Sequence, residues 1–197
     1  MSPRTKQQFE EIREVRRDLI RAKALKLFAR QGFHTTSISM IAREAGISKG
    51  LIYNYYDSKE ALLKDIIMDG MHKIMAMVDP DRNGVLTGEE LLSMFRLTQD
   101  IMVRERRFWT LYFSILPQPS VLEIVKEEVM EIYNNLIGMF TEYFRRQGFI
   151  DPETEALMLG SMLDGIAFHY IFNPGSYPLE KVLARLTELY NLNKQEQ

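Results

Sequence analysis

Residues 32–63 read GFHTTSISMIAREAGISKGLIYNYYDSKEALL, and the spacing within this stretch decides the fold. Ile38, Ile41 and Ala42 fall three and four residues apart, the period of one helix face. Ser37 or Thr36 precedes them as an N-cap, so a short helix is predicted over Ile38–Ala45. Ser48 caps a second, over Lys49–Tyr55. Gly46 lies between the two, where a tight turn takes a positive φ. A longer helix leads in from about Gln7 to Gln31, with Ile12, Val15, Leu19, Ile20, Ala24, Leu27 and Phe28 in step and Gly32 just past its end. A fourth runs from Ser58 to Val78. Ile38, Ile41, Ala42, Ile47, Leu51, Ile52 and Leu62 are the expected small core. Two short helices joined by a glycine turn make a helix-turn-helix.

In that arrangement the second short helix enters the DNA major groove by its N-terminal end. Here that end reads Ser48-Lys49-Gly50-Leu51. Lys49 can donate to guanine O6 or N7, and Gly50 lets the backbone approach a base. Tyr53, one turn on, can touch a thymine methyl or a phosphate. Ser37 sits at a helix N-terminus, which suits a phosphate. Lys59 opens the fourth helix and can reach the backbone from the other side. Tyr56 reads as a packing aromatic. Charge agrees with a polyanionic partner: residues 1–60 hold 12 Lys/Arg against 7 Asp/Glu, whereas residues 61–197 hold 13 against 20.

These residues carry a resemblance. Thr36-Ser37, Ile41-Ala42, Ala45-Gly46-Ile47-Ser48, Tyr53, Tyr56 and Ser58-Lys59-Glu60-Ala61-Leu62 stand at the spacing of the DNA-binding domain of the TetR family of bacterial transcriptional regulators. The match runs from Arg17 to Leu63; phenylalanine is more usual where Tyr56 stands. The resemblance implies base contacts from Lys49, Gly50 and Tyr53. It implies phosphate contacts from Thr36, Ser37, Asn54, Tyr55 and Lys59, and electrostatic attachment from Arg4, Lys6, Arg13, Arg16 and Arg17. It also implies a homodimer on double-stranded DNA at a (pseudo)palindromic operator, mostly in repression, with release by a small-molecule effector. Neutralising about six to eight phosphates per dimer would make log K fall with log salt at a slope of roughly −5 to −7.

Beyond Val78 the helical period continues. Helices are predicted over 88–103 and 108–116, then from Ser120, capped by Glu123, to Gly148, then over 152–172 and 178–192. The fold class is all-α with about nine helices. Residues 1–60 are read as the helix-turn-helix domain and 61–197 as a helical effector-binding and dimerisation domain. The last two helices suit dimerisation, since Gly160, Ser161, Gly165 and Ala167 permit close approach. Phe95, Met102, Trp109, Tyr112, Phe113, Met130, Tyr133 and Phe140 are candidate effector contacts, adaptable in shape and mainly apolar. His169 and Asp164 are candidate polar anchors.

Residues 79–90, DPDRNGVLTGEE, fit the EF-hand loop pattern: Asp79, Asp81, Asn83, the Val85 carbonyl and Glu90 as calcium ligands, Gly84 at the sharp turn. The same residues make ordinary structure without an ion, because Thr87 and Glu90 form a capping box and Asp-Pro and Asn-Gly are turn sequences. Both readings stand, and a calcium-binding helical module, gating DNA binding or independent of it, is the alternative function. No cofactor is otherwise required. The chain has no cysteine, and its three histidines make no HExxH pair. It shows no phosphate-cradling glycine loop and no credible triad, so an enzyme is not expected. No apolar run approaches the ~18 residues of a membrane span, and the charged N-terminus lacks a signal-peptide core. A soluble, cytoplasmic protein without membrane contact is expected.

Overall fold

Each short helix of the quoted stretch is bounded by its serine. In the computed structural model, which describes residues 6–190, the Ser37 hydroxyl accepts from the Met40 N–H, and the Ser48 hydroxyl accepts from the Leu51 N–H. Gly46 takes φ 66°, the left-handed turn that any side chain would strain. The described residues form nine helices and no strand: α1 Lys6–Gln31, α2 Ile38–Ala45, α3 Lys49–Tyr53, α4 Lys59–Val78, α5 Gly88–Arg104, α6 Arg106–Ile115, α7 Pro119–Arg146, α8 Pro152–Phe172 and α9 Leu179–Leu189. The all-α expectation holds. Arg4 and Leu192 lie outside the described residues, as does the side chain of Lys6.

Three local expectations change. Helix α3 stops at Tyr53, two residues early, because the N–H groups of Asn54 and Tyr55 turn to carbonyls three residues back and tighten the last turn. Helix α7 opens at Pro119 rather than Ser120. The Gln118 carbonyl receives the first bonds, from Val121 and Leu122, so the expected Ser120–Glu123 cap does not form. Proline fits the first helical position because its missing N–H has no partner there. In α1 the apolar series splits: Ile20, Ala24, Leu27 and Phe28 are buried, but Ile12, Val15 and Leu19 are exposed, as is Phe9 before them.

By internal contact the chain groups into two compact units, one running through Asp69 and including Leu111–Lys126, the other holding Gly70–Thr110 and the residues from Glu127 onward. In the first, Ile20, Phe28, Ile41, Ile52, Leu62 and Ile66 make the core, and the Tyr112 hydroxyl donates to the Ile67 carbonyl at 3.1 Å. Asp65 organises it from α4. Its carboxylate receives both Arg17 Nη2 at 2.6 Å and Nε at 3.1 Å, and the Tyr56 hydroxyl at 2.6 Å. In the second unit, Phe144 gathers Phe149 and Tyr190 at 5.0 Å each, and Arg146 donates to the Leu86 carbonyl at 2.7 Å. Gly160 of α8 faces Ile137 of α7, whose Cδ1 would lie 3.3 Å from an added Cβ, so its smallness already serves packing within one chain.

Burial raises the pKa of four tyrosines, Tyr56, Tyr112, Tyr177 and Tyr190. Desolvation is the first cause in each, with Asp65 adding to it at Tyr56, Asp69 at Tyr112 and Glu155 at Tyr190, which is pushed up to about 12. Below the unfolded value of about 10 both states keep the proton and the stabilisation is whole. Above it the unfolded chain ionises first, so stability declines as pH rises toward the folded values. Urea midpoints should therefore hold between pH 8 and 9 and fall steadily above about pH 10.

Candidate nucleic-acid interface

Helix α3 has five residues and cannot hold itself together, since helices this short gain too few bonds to offset nucleation. It is held from below by Ile52, wholly buried, a burial worth roughly 1.5–3 kcal/mol. Everything else on its outer side is free to meet a partner. Lys49 and Gly50 are exposed, Tyr53 is 46% exposed, and Asn54 at the C-cap is exposed. The Lys49 ammonium lies 5.8 Å from the centre of the Tyr53 ring, so cation and aromatic present themselves as one surface.

Gly50 has no internal reason to be glycine. A Cβ placed there meets nothing within 4 Å, and its φ is not left-handed. A helical glycine costs about 0.5–1 kcal/mol relative to alanine. Nothing within the chain requires glycine here, and the backbone is left open to approach from outside. Gly50→Ala should raise the unfolding free energy by up to about 1 kcal/mol while weakening DNA binding on the order of tenfold or more. Denaturant melts and fluorescence anisotropy on the same preparations measure the two opposite changes.

Around this helix the other expected contacts divide. Ser37 is exposed at the N-terminus of α2, with the unpaired first N–H groups of that helix beside it. Tyr55 is half-buried, with the Arg13 guanidinium 5.9 Å from its ring centre, and Arg16 is exposed. Three residues turn inward instead. Thr36 is 1% exposed, and its hydroxyl donates to the Gly32 carbonyl at 2.8 Å. Arg17 is held by both its bonds to Asp65. The Lys59 ammonium donates to the carbonyls of Phe33, Thr36 and His34 at 2.8, 2.9 and 3.3 Å, so its charge is engaged within the chain in this structure. Sequence reasoning missed the carboxylate behind this surface, Asp65; its spacing to Arg17 and Tyr56 crosses three elements and leaves no local pattern.

The candidate effector residues differ in exposure. Phe95, Met102, Trp109, Tyr112 and Phe140 are buried, Phe113 is half-buried, and Met130, Tyr133 and His169 are exposed. Tyr112 and Phe113 belong to the first unit and the rest to the second. Within the second unit, Phe95 lines a cleft of about 260 Å³ between α5 and α9. His169 lines a larger one, about 470 Å³, between α8 and α9, where its ring stacks on Tyr177 at 5.9 Å. Lys181 and Arg185 also line this cleft, and nothing in their sequence spacing marked them.

In the 79–90 loop the expected calcium ligands serve one another and the backbone. Asp79 accepts from the N–H groups of Asn83 and Gly84, Asp81 accepts from Asn83, and the Asn83 side-chain oxygen accepts from the Val85 N–H at 2.7 Å. Glu90 accepts from Thr87 N–H at 2.8 Å and from its hydroxyl at 2.7 Å, the capping box of α5. Among the described residues no three acidic or histidine side chains are grouped so as to hold a metal ion. The loop reads as structure of its own, and the geometry gives calcium no support.

Comparison with known proteins follows the same division. Residues 20–66 match the model of a family described as bacterial regulatory proteins, tetR family. The fatty acid metabolism regulator protein of Bacillus subtilis (strain 168) is 22% identical over 173 residues, covering 84% of this chain and 89% of that protein. The HTH-type transcriptional regulator HbdR of Aromatoleum sp. (strain CIB) is 52% identical over 50 residues, 25% of this chain and 22% of that protein. Among solved structures, FadR from Bacillus subtilis in complex with stearoyl-CoA is similar with a TM-score of 0.65 at 22% identity, over 87% of this chain and 95% of that one. The strong identity is short; the long likeness is one of fold. No helix among the described residues is long and apolar enough to cross a membrane.

Proposed function

Residues 20–66 belong to the TetR family of bacterial regulatory proteins, and from that premise we propose that the chain is a ligand-responsive transcriptional repressor that grips a (pseudo)palindromic operator as a homodimer in the cytoplasm. It binds rather than catalyses. The observation that carries the reading is α3 itself: Lys49, Gly50 and Tyr53 face outward over a buried Ile52. Residues 1–60 supply the reader and 61–197 the sensing and pairing part.

One reader offers few base contacts, and a two-fold pair sets two of them ~34 Å apart along the duplex. The pairing surface we assign is α8 with α9. Leu157, Met158, Phe168 and Phe172 of α8 and Leu189 of α9 are exposed, Phe172 at 79%, which is unusual for large apolar groups on one helix. Two helices from each chain would close a four-helix bundle over them. Phe168→Glu should give a monomer by sedimentation equilibrium and weaken operator binding; a variant that stays dimeric would displace the interface elsewhere.

The effector is proposed to be small and largely apolar. The composition of the candidate residues favours it, and FadR of Bacillus subtilis, similar in fold, is held with an acyl-CoA. Release requires an effector that binds one arrangement of the dimer better than another, because equal affinity shifts nothing. Helix α4, which connects the reader in sequence to the rest, is the proposed lever. Selection of fragments from the source genome by the purified protein, followed by anisotropy on the recovered duplex, tests the function. Binding should be selective, with a salt slope of roughly −5 to −7. Equal binding to every duplex would overturn the reading.

A further inference from the structure

Lys59 is the first residue of α4, where the positive end of the helix dipole disfavours a cation. Something must offset that, and the structure shows what. Lysine has three N–H donors and no acceptor. Here the three have three carbonyl partners, Phe33 at 2.8 Å, Thr36 at 2.9 Å and His34 at 3.3 Å. The ammonium also lies 4.3 Å from the centre of the Phe33 ring, itself buried. No donor is left for a phosphate. The α4 end of this link is fixed in turn, because the Ser58 hydroxyl accepts from the Ala61 N–H at 3.0 Å.

The three carbonyls belong to the turn 33–36, and the next residue is Ser37, the N-cap of α2. The Thr36 hydroxyl also anchors the same turn to Gly32. We propose that Lys59 is a positioning residue for DNA recognition. It acts through Ser37, by tying the start of α4 to the turn that sets where the N-terminus of α2 meets a phosphate. A cation in the recognition domain thus works with its charge pointed into the protein. The inference rests on the DNA-binding reading above and goes one step past it.

Three roles for this lysine give three different results. The probe is the duplex recovered in the genomic selection, the protein is the full chain, and the temperature is well below the melting point of every variant. Lys59→Met keeps the stem over Phe33 and removes the donors. It is expected to weaken binding on the order of tenfold, with the slope of log K against log salt unchanged. Ser37→Ala should then take much less from the Lys59→Met protein than from the wild type, since both act on one contact. Lys59→Arg should also weaken binding, because a planar guanidinium does not fit a seat built for three converging bonds.

A slope shallower by about 1.8 per dimer, at ~0.9 per lost phosphate contact, would make Lys59 a direct contact and overturn the proposal. So would full binding by Lys59→Arg, which suits a phosphate at least as well. A lower melting point with unchanged affinity would leave only a stabilising role and overturn it too. Additive losses with Ser37→Ala would remove the route through α2. A wild type without selective binding is a separate outcome, and sinks the DNA-binding reading itself. Should Lys59→Met not fold, the Lys59→Arg titration and its salt slope still decide.

Discussion

Replacing Lys49 and Tyr53 together by alanine is expected to abolish selective DNA binding while leaving the fold intact. Both side chains stand on the outer side of α3, Tyr53 nearly half exposed, and the contact recorded between them is with each other. Their removal opens no cavity, so the unfolding free energy should move by less than about 0.5 kcal/mol, the usual range for surface sites. Each good base contact discriminates by about 1–3 kcal/mol, and a dimer would lose both residues twice. A loss of at least about a hundredfold on the selected duplex is therefore expected, with residual binding that no longer distinguishes it from a scrambled one. Anisotropy titrations on both duplexes, with circular dichroism as the control for folding, measure this. Retained selectivity would mean that another surface reads the bases.

The second large effect lies behind the interface. Asp65→Ala should destabilise the protein by about 2–4 kcal/mol, the range for breaking a partly buried charge cluster by removing one member. The carboxylate is shared: Arg17 donates two bonds to it, Tyr56 donates one, and Arg21 approaches at 3.7 Å while pairing with Asp69 at 3.2 Å. Its loss leaves two guanidinium groups and a buried hydroxyl facing one another. Tyr56→Phe removes one hydrogen bond and leaves the ion pairs standing, so it should cost only about 1 kcal/mol. Thermal melts of the two variants check the ratio. Equal effects would show that the hydroxyl, not the charge, secures this corner.

Much of this was legible in the sequence because the signals are local. Ser37, Gly46 and Ser48 mark their own helix boundaries, since a cap or a left-handed turn needs only its nearest neighbours. Periodicity found all nine helices for the same reason. What stayed hidden depends on distance across the fold. Thr36 and Lys59 belong to the family motif and carry hydrogen-bonding side chains, yet they are used for holding the turn, and only coordinates show which way a side chain faces. The exposed Phe9, Ile12 and Val15 keep a helical period that says nothing of whether a neighbour covers it. The loop at 79–90 satisfies an ion-binding pattern because oxygen-bearing residues at alternating positions also close their own turns. An effector site has no local mark in the sequence, since bulky apolar residues look alike whether they line a hollow or fill one.

Helix α3 contributes one residue inward and nearly all the rest outward. Mutational drift at positions 49, 50 and 53 is therefore almost decoupled from whether the polypeptide folds. A lineage carrying this scaffold can change what that outer face presents through a few base changes in its own gene, with the rest of the fold left as it was.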